Sequence, residues 1–463
     1  MTIAFSLQVA VGAQPSLGGV ARLLPLVDGL LEQLQAPAAL GTPCRQTIRL
    51  WQERLGLYLL RRPCARRSDW TWVIDHTLQW GSHRALVVLG VSGAQLAATG
   101  CCLTFGDVQL LLAEVVEHSD GPRVQQQLQA LAQRVGVPRQ IVSDHGSDLV
   151  KGIQLFRAAR PEQGQVIATY DVTHKLACLL KDLLGADPRW LAFGRQCAQA
   201  GQELRQTRGA FLQPPTPRPK ARFMNLDTQV QWAARLLRLW PQLHRERLAA
   251  LLGKTAAETD DWLEAKLGWL QGFREELACW SELVGLAQQV RQHVRQQGLA
   301  RESAAHFRRH IRPSLSGRAP VQWLAAQVEA YLEEEGAAVP AGATLLGSSE
   351  VIESAFGSFK GCLSRGGWQE IGRNILLLPL LLCQWGMHTV AAALQAVSCQ
   401  AVREWVSKEV GPSQQSKYRQ VLGRRTDPSA GEQKPPPPAT PPPETAIPGD
   451  GSGRSPPEDR KVA

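Results

Sequence analysis

The sequence lacks the features of a secreted or membrane protein. Its 463 residues include ten cysteines but no Cys-x-x-Cys pair, so neither a disulfide framework nor a cysteine-rich zinc site is indicated. The longest apolar run, residues 375–383, contains Pro379 and is far shorter than the ~20 residues that span a bilayer. Residues 1–10 have neither the basic start nor the apolar stretch of a secretory signal. We therefore expect a soluble protein of a reducing, intracellular compartment.

Acidic residues are the minority among the charged ones. The 51 lysines and arginines exceed the 41 aspartates and glutamates, which gives a formal net charge of +10. This balance favours a polyanionic partner, nucleic acid first, although many basic proteins bind none. The hydrophobic content of 44% excludes a wholly disordered chain. The length allows about two to four domains.

Residues 1–67 predict a helical region of the helix-turn-helix type. Apolar residues recur at helical spacing in residues 20–34, and Thr42-Pro43 is typical of the start of a second helix. We expect the arginines at 61, 62, 66 and 67 to suit phosphate contacts. An ordinary helix pair that binds no DNA is the alternative. The second helix is predicted to expose Arg45, Gln46, Thr47, Arg49 and Gln52, of which Arg45, Gln46 and Arg49 are candidate DNA contacts.

Residues 68–184 predict an α/β domain with a mixed five-stranded sheet. Strands are predicted at 70–75, 85–91, 95–103, 140–144 and 166–171, and helices at 124–135, 149–159 and 175–184. Three strands followed by alternating helices and strands is the order of an RNase H-like domain. In that order the first strand is central, and the fourth lies parallel beside it. Cys101 and Cys102, in the third predicted strand, are interpreted as small core residues.

The remaining chain is predicted to be helical as far as a disordered tail. Residues 185–345 show no strand pattern and are interpreted as an all-α insertion, with one long helix from Leu263 to Ala287. Residues 346–410 are predicted to return to the RNase H-like core through helices at 352–363 and 375–405. Residues 411–463 are expected to be a disordered tail, because the segment from Thr426 is rich in proline and glycine.

Two aspartates end strands that the predicted topology makes neighbours. Asp75 ends the first strand and Asp144 ends the fourth. Neighbouring strands lie about 4.8 Å apart, so the two carboxylates can share one or two divalent ions. A lone aspartate after a strand is more often a turn residue or a helix cap. Each aspartate by itself is therefore weak support for a metal site.

Glu353 is the preferred third carboxylate. The apolar residues of the helix at 352–363 form one buried stripe. Glu353 and Lys360 fall at the edge of that stripe, about 80–100° from its centre, whereas Glu350 falls about 160° away on the solvated face. An ordinary solvated pair of Glu353 and Lys360 is the alternative interpretation.

Other polar residues are predicted near the same strand ends. Asp171, His174 and Lys175 follow the fifth strand, and Lys175 and Lys360 are candidate DNA contacts. Asp171 and Glu350 are second choices as site acids. A structural role of His174 at the start of a helix is the alternative to a role in the site.

Three more residues adjoin the two aspartates in sequence. His76 follows Asp75 and His145 follows Asp144, which suggests that these histidines orient the metal ligands. Asp148 is interpreted as a helix-start residue only. Zinc ligation is not expected, because no cysteine and histidine spacing fits it.

Four motifs together carry a resemblance to a known family. They are Val-Ile-Asp75-His-Thr, Val-Ser-Asp144-His-Gly-Ser-Asp, Tyr-Asp171-Val-Thr-His174-Lys175 and Ile-Glu353-Ser-Ala-Phe-Gly-Ser-Phe-Lys360. Over about residues 16–410 the chain resembles the DDE-type transposases of bacterial insertion sequences, which belong to the RNase H-like retroviral-integrase superfamily. The last motif has the Glu-x6-Lys spacing of that family. The Tyr-x2-Arg that precedes the glutamate in some members is absent, which leaves the subgroup open.

The resemblance implies a transposase that cleaves DNA and transfers strands at the ends of an insertion sequence. Asp75, Asp144 and Glu353 would be both the catalytic residues and the ligands of two Mg²⁺ or Mn²⁺ ions, which activate a water and then a 3′-hydroxyl. The resemblance also implies double-stranded DNA as partner, a homo-oligomer on that DNA, and a cytoplasmic, nucleoid-associated location in a bacterium. Three alternatives stay open: a nuclease that does not join strands, an inactive DNA-binding derivative, and a basic helical scaffold with a small α/β domain.

Overall fold

A mixed five-stranded sheet lies at the centre of the fold. The computed structural model describes residues 2–33, 41–77, 83–160, 166–216, 223, 226–364 and 371–422. The strands run in the order β3-β2-β1-β4-β5, with β1 antiparallel to β2 and parallel to β4. The predicted central first strand and its parallel neighbour are therefore confirmed. The strands are β1 (Thr71–Thr77), β2 (Arg84–Val91), β3 (Gln109–Val116), β4 (Gln140–Ser143) and β5 (Ile167–Tyr170).

The third predicted strand was wrong. Most of the segment 95–103 lies in the helix α4 (Gly93–Thr99), and the third strand of the sheet is β3, further along the chain. The hydroxyl of Ser92 accepts a hydrogen bond from a backbone N–H in the first turn of α4, and Gly100 ends the helix with a φ of 72°. The apolar pattern of this segment is compatible with either a strand or a helix. The two cap residues favour the helix, because they satisfy the backbone groups that are left unpaired at helix ends.

The two faces of the sheet are covered by different helices. The helices α5 (Gly121–Val135) and α6 (Ser147–Ala158) pack on one face, together with the side chains of Trp72 and Ile74. The helix α15 (Glu350–Leu363) packs on the other face, against Val73. Because side chains alternate along a strand, Asp75 shares the α15 face with Val73.

Apart from one isolated bridge between Leu299 and Leu345, the described residues of 185–345 form an all-helical block, and this block also covers one edge of the sheet. Glu335 accepts a hydrogen bond from the backbone N–H of Tyr170, at 3.2 Å, and the hydroxyl of Tyr331 donates to the carbonyl of Tyr170, at 2.8 Å. The outer edge of β5 is thereby closed. The helices are α7 (Val172–Leu184), which precedes the block, α8 (Pro188–Leu204), α9 (Asp227–Leu239), α10 (Arg245–Leu252), α11 (Ala256–Leu267), α12 (Arg274–Gln297), α13 (Ser303–His310) and α14 (Ala319–Ala337).

Two predicted long helices are broken. A 3₁₀ turn at Gly268–Phe273 separates α11 from α12, so the helix predicted from Leu263 to Ala287 is not continuous. The helix predicted at 375–405 consists of three short ones: α16 (Leu377–Leu382), α17 (Met387–Ala396) and α18 (Cys399–Glu409). The short helices on either side of each break bury their apolar faces in the same core. The apolar periodicity therefore continues across the breaks, and the sequence pattern does not reveal them.

The N-terminal helices pack against helices from the C-terminal part of the described chain. The helix α3 (Arg45–Leu60) lies against α1 (Thr2–Gly12), α2 (Leu17–Gln33), α16 and α17, and it begins at Arg45 rather than at Pro43. Seven of the 16 residues of α3 are buried, including Gln52, which was predicted to be exposed. A helix-turn-helix role of α2 and α3 stays a prediction. Among the described helices, none has the length and apolar character needed to cross a membrane.

Two smaller predictions also need correction. Cys101 is buried as predicted, but Cys102 is exposed. The helix α19 (Gln414–Leu422) lies inside the tail that was predicted to be disordered from residue 411. The prediction for residues 423–463 concerns a segment outside the described residues. The chain up to Gln414 forms one compact unit, to which the described residues 415–422 do not belong.

Candidate functional site

Asp75 lies on the α15 face of β1, two residues before the strand ends. It is paired with Val87 of β2, and its carboxylate accepts a hydrogen bond from the backbone N–H of His76, at 2.6 Å. Burial raises the pKa of Asp75 to about 7, and the negative charges of Asp144 and Glu353 act in the same direction. Asp75 therefore sits among carboxylates that repel its ionised form.

Asp144 follows β4 directly and begins the turn to α6. Its Oδ1 accepts a hydrogen bond from the backbone N–H of Gly146, at 2.9 Å. The next residue, His145, has a φ of 61°, which is uncommon for a residue with a side chain. Its ring stacks on that of Tyr170 with the centroids 3.7 Å apart, and the ammonium of Lys175 lies 5.8 Å from the centroid of the same tyrosine.

Glu353 lies in the first turn of α15, on the face of the sheet that also carries Asp75. Its Oε1 is buried and accepts no hydrogen bond from any described residue, and it lies 3.3 Å from Nδ1 of His174. Burial raises the pKa of Glu353 to about 7, and the charges of Asp171 and Asp144 contribute in the same direction. The charge of Asp144 therefore acts on both Asp75 and Glu353, and the charge of Glu353 acts on Asp75.

The two second-choice acids differ in position. Glu350 pairs with Arg295 at 2.8 Å, and its side chain is 45% exposed, so it lies outside the cluster. Asp171 is buried inside the cluster, but both its oxygens accept hydrogen bonds from the protein. Oδ1 accepts from the backbone N–H of Ser349, at 2.6 Å, and Oδ2 from the backbone N–H and Nδ1 of His174, at 2.8 and 2.9 Å. Asp171 thus connects the end of β5 to the start of α15.

Asp75, Asp144, Asp171 and Glu353 are called the acid cluster, and His174 is a cation that lies among them. Burial disfavours its charged form, but the hydrogen bond and charge of Asp171, with the charges of Glu353 and Asp144, outweigh burial and raise its pKa to about 9. Ligand atoms of Asp171, His174 and Glu353 lie within 4.8 Å of one another. A protonated imidazole has no free lone pair, so His174 in this arrangement balances the carboxylates rather than offering a ligand atom.

Gln140 has a structural role that the sequence analysis missed. Its side-chain amide donates to the carbonyl of Leu346, at 2.6 Å, and to Oγ1 of Thr169, at 2.9 Å, while its Oε1 accepts from the N–H of Leu346. Together with Asp171 it ties the segment that leads into α15 to the start of β4 and the end of β5. The available sequence signal was a glutamine directly before the apolar Ile141 and Val142 of a predicted strand, and the structure buries it fully.

His76 and Asp148 lie on the other face of β1 and contact each other. Nε2 of His76 is 3.1 Å from Oγ of Ser119, and Nδ1 is 3.6 Å from Oδ2 of Asp148, which is also 3.6 Å from Arg84. Burial lowers the pKa of His76. Asp148 is therefore more than a helix-start residue, contrary to the prediction, and the ring of His76 does not contact the carboxylate of Asp75.

The candidate DNA contacts lie on separate surfaces. Arg45 and Gln46 are exposed in the first turn of α3, whereas Arg49 pairs with the buried Glu53 at 2.9 Å. Lys360 is exposed two turns after Glu353 on α15. Contact with DNA stays a prediction for these residues and for Lys175.

The residues of the acid cluster fit a hard divalent cation. The supporting observation is the buried Oε1 of Glu353, which accepts no hydrogen bond from any described residue and lies 3.3 Å from the His174 cation, beside carboxyls whose pKa values are raised by burial and by neighbouring negative charges. Mg²⁺ and Mn²⁺ prefer such carboxylate oxygens. Asp75 and Asp144 do not belong to the group of described residues whose ligand atoms lie within 4.8 Å of one another, so metal binding by Asp75, Asp144 and Glu353 stays a prediction, whereas the oxygens of Asp171 are already engaged.

Comparisons with known proteins add little to this geometry. No family model matches the chain, and no curated protein matches it. A chain of the Drosophila P element transposase strand transfer complex is similar in structure, with a TM-score of 0.38 and 10% sequence identity. The match covers 84% of this chain and 92% of that chain.

The acid cluster predicts a pH dependence of stability in the presence of a chelator. Asp75, Glu353 and His174 all have pKa values above their ordinary ones, so the folded state binds more protons than the unfolded state between about pH 4 and 9. Their contribution to the free energy of unfolding must therefore fall as the pH rises across that range. We expect the melting temperature of Asp75→Asn to fall less steeply than that of the wild type from pH 5.5 to 8.5, measured by circular dichroism with a chelator present. Parallel pH profiles of the two proteins would contradict the electrostatic coupling.

Proposed function

We propose that this protein is a divalent-metal-dependent DNA strand transferase of the DDE transposase type. The catalytic and metal-binding residues in this proposal are Asp75, Asp144 and Glu353. The observation that carries it is that the charges of Asp144 and Glu353 raise the pKa of Asp75, and the charge of Asp144 raises that of Glu353, although these residues are 69 and 209 positions apart in the chain and come from two neighbouring strands and a helix. The strand order β3-β2-β1-β4-β5, with the first strand central, supports an RNase H-like domain.

The reaction class follows from the donor set and the charge. Bound Mg²⁺ or Mn²⁺ ions would supply the activation of a water or a 3′-hydroxyl and the stabilisation of the leaving oxygen. The chain's own contribution is to hold three oxygen donors in a partly buried pocket. Asp171 and Gln140 keep α15, and with it Glu353, against the strand ends. His174 neutralises part of the negative charge while the carboxylates are unliganded.

The partner in this proposal is double-stranded DNA, comprising the element ends and the target. The net charge of +10 supports a polyanionic partner. Lys175 near Asp144 and Lys360 on α15 are the proposed backbone contacts closest to the acids. Arg45 and Gln46 are proposed contacts of a helix-turn-helix, in which residues at the start of the second helix reach the bases. Assembly as a homo-oligomer on paired ends belongs to the same proposal.

Glu350 offers a matched control for Glu353, because both lie in the first turn of α15. We expect Glu353→Gln to lower Mg²⁺-dependent cleavage of a duplex that carries the element ends by at least about 10²-fold, since it removes one charged ligand from the pocket. Glu350→Gln removes only a surface pair with Arg295 and should change the rate by less than about twofold. Equal losses in the two variants would contradict the choice of Glu353.

A nuclease that does not join strands is the competing enzyme. A target duplex added to the cleavage reaction distinguishes the two, because strand transfer yields a covalently joined product on a denaturing gel. Cleavage without any joined product would favour the nuclease. No cleavage by the wild type with Mg²⁺ or Mn²⁺ would favour an inactive DNA-binding derivative.

A further inference from the structure

Three histidines cluster on two helices of the all-helical block, away from the acid cluster. His293 lies on α12, and His306 and His310 lie on α13. The rings of His293 and His306 are stacked, with their centroids 4.2 Å apart and an angle of 7° between the planes. The rings of His306 and His310 are 4.6 Å apart at 42°. One histidine therefore contacts both of the others.

The sequence of α13 explains why the histidines share one surface. Residues four apart lie on the same face of a helix, so His306 and His310 point the same way. Ala304 and Phe307 are buried on a second face of α13. Arg308, on a third face of α13, forms an ion pair with Glu329 of α14 at 3.0 Å. The histidine face is thus left to contact α12.

The chemical state of the cluster suits metal ligation. Among the described residues, no carboxylate forms an ion pair with any of the three rings, so salt bridging does not account for the cluster. Burial lowers the pKa of His293, and the neighbouring His306 contributes in the same direction. A histidine held in its neutral form has a ring nitrogen with a free lone pair.

We propose that His293, His306 and His310 form a binding site for a divalent transition-metal ion of the Zn²⁺ class. Imidazole nitrogen suits Zn²⁺, Ni²⁺ and Cu²⁺, whereas Mg²⁺ prefers oxygen. Two histidines at i and i+4 on one helix are a known ligand spacing for Zn²⁺. The third ligand from α12 brings the set to three, and a water can complete a tetrahedron, because His306 and His310 are exposed.

The rings need to turn but not to travel far. Stacked rings direct their nitrogens sideways rather than toward a common point, so rotation about the side-chain bonds must precede binding. Zn–N distances are about 2.0–2.1 Å. The ring of His306 lies 4.2 Å from that of His293 and 4.6 Å from that of His310, but in the present rotamers the three histidines do not bring one ligand atom each within 4.8 Å of one another, as Asp171, His174 and Glu353 do. A bound ion would join α12 to α13. The site is independent of the proposed strand transfer.

The test is Zn²⁺ binding to the full chain without a polyhistidine tag. Excess Mg²⁺ in the titration occupies oxygen-rich sites and leaves histidine nitrogens free. We expect saturable Zn²⁺ binding by the wild type in calorimetry and a rise in its melting temperature with Zn²⁺. His306→Ala and His293→Ala should bind at least about tenfold more weakly and lose the rise in melting temperature.

Two controls separate this site from others. His388→Ala removes an exposed histidine from α17 and should bind Zn²⁺ as the wild type does. Asp144→Asn disables the acid cluster and should also keep the site. His306 is exposed and alanine favours a helix, so His306→Ala should fold, and His310→Ala provides a second variant on the same helix. Unchanged binding in His306→Ala and His293→Ala, or no Zn²⁺ binding by the wild type, would overturn the proposal.

Discussion

Asp75→Asn should abolish Mg²⁺-dependent DNA cleavage while DNA binding survives. The substitution keeps the size of the side chain and the hydrogen bond from the N–H of His76, but it removes the charged ligand that faces both Asp144 and Glu353. We expect a fall in the cleavage rate of at least about 10³-fold, because the metal-dependent stabilisation of the transition state is lost as a unit. A gel-based cleavage assay and a binding assay on the same duplex measure the two effects separately.

The same variant should gain stability when a chelator is present. Asp75 is a partly buried carboxyl beside two others, so its ionised form destabilises the folded state near pH 8. Neutralising it should raise the melting temperature in the presence of a chelator, whereas added Mg²⁺ should stabilise the wild type more than the variant. A variant that is both active and unchanged in stability would falsify the assignment of Asp75 to a metal site.

Asp171→Ala should destabilise the protein more than the loss of an ordinary helix cap. The buried carboxylate accepts hydrogen bonds from Ser349 and from two nitrogens of His174, so its removal leaves the buried N–H of Ser349 without an acceptor and the half-buried His174 with Glu353 as its remaining anionic partner. The expected cost is about 3–5 kcal/mol of the free energy of unfolding. The start of α15 is also released, so cleavage should fall even though Asp171 is a positioning residue. Denaturant titration followed by circular dichroism measures the cost.

Asp187 supplies the matched control for Asp171. Both aspartates cap a helix, but the hydrogen bonds of Asp187 go only to backbone N–H groups at the start of α8, at Arg189 and Trp190. Asp187→Ala should therefore cost about 1 kcal/mol and leave cleavage unchanged. Asp171→Asn keeps an oxygen acceptor for Ser349 and should lose less stability than Asp171→Ala, while the pKa of His174 falls. If Asp171→Ala were no more harmful than Asp187→Ala, the proposed connection to α15 would be wrong.

The sequence predicted most elements around the acid cluster because their signals are local. The strands β1, β2, β4 and β5 and the helices α5 to α7 were predicted within a few residues of their ends, since apolar periodicity and turn residues lie within each segment. The third strand was missed, because α4 and the predicted strand share an apolar composition and only the caps at Ser92 and Gly100 separate the two. The break between α11 and α12 left no comparable signal.

Helix geometry alone predicted which of Glu353 and Glu350 lies beside the buried face of α15. An angle of 100° per residue is enough to separate a residue at the edge of the buried stripe from one on the solvated face. The side chains agree with that argument, since Glu350 pairs with Arg295 while Glu353 contacts His174. Catalytic roles for Asp75, Asp144 and Glu353 stay predictions.

The sequence by itself indicated a central first strand with the fourth strand parallel beside it, the basic character and the three acids worth considering, because periodicity, charge and motif order are properties of the chain. Only the tertiary structure showed that both oxygens of Asp171 accept hydrogen bonds and connect β5 to α15, and that Gln140 binds the segment before α15. It also showed that His174 balances the charge of the carboxylates. These roles depend on contacts between residues up to 206 positions apart. Such contacts form only when packing buries polar groups together and each must find its hydrogen-bond partner.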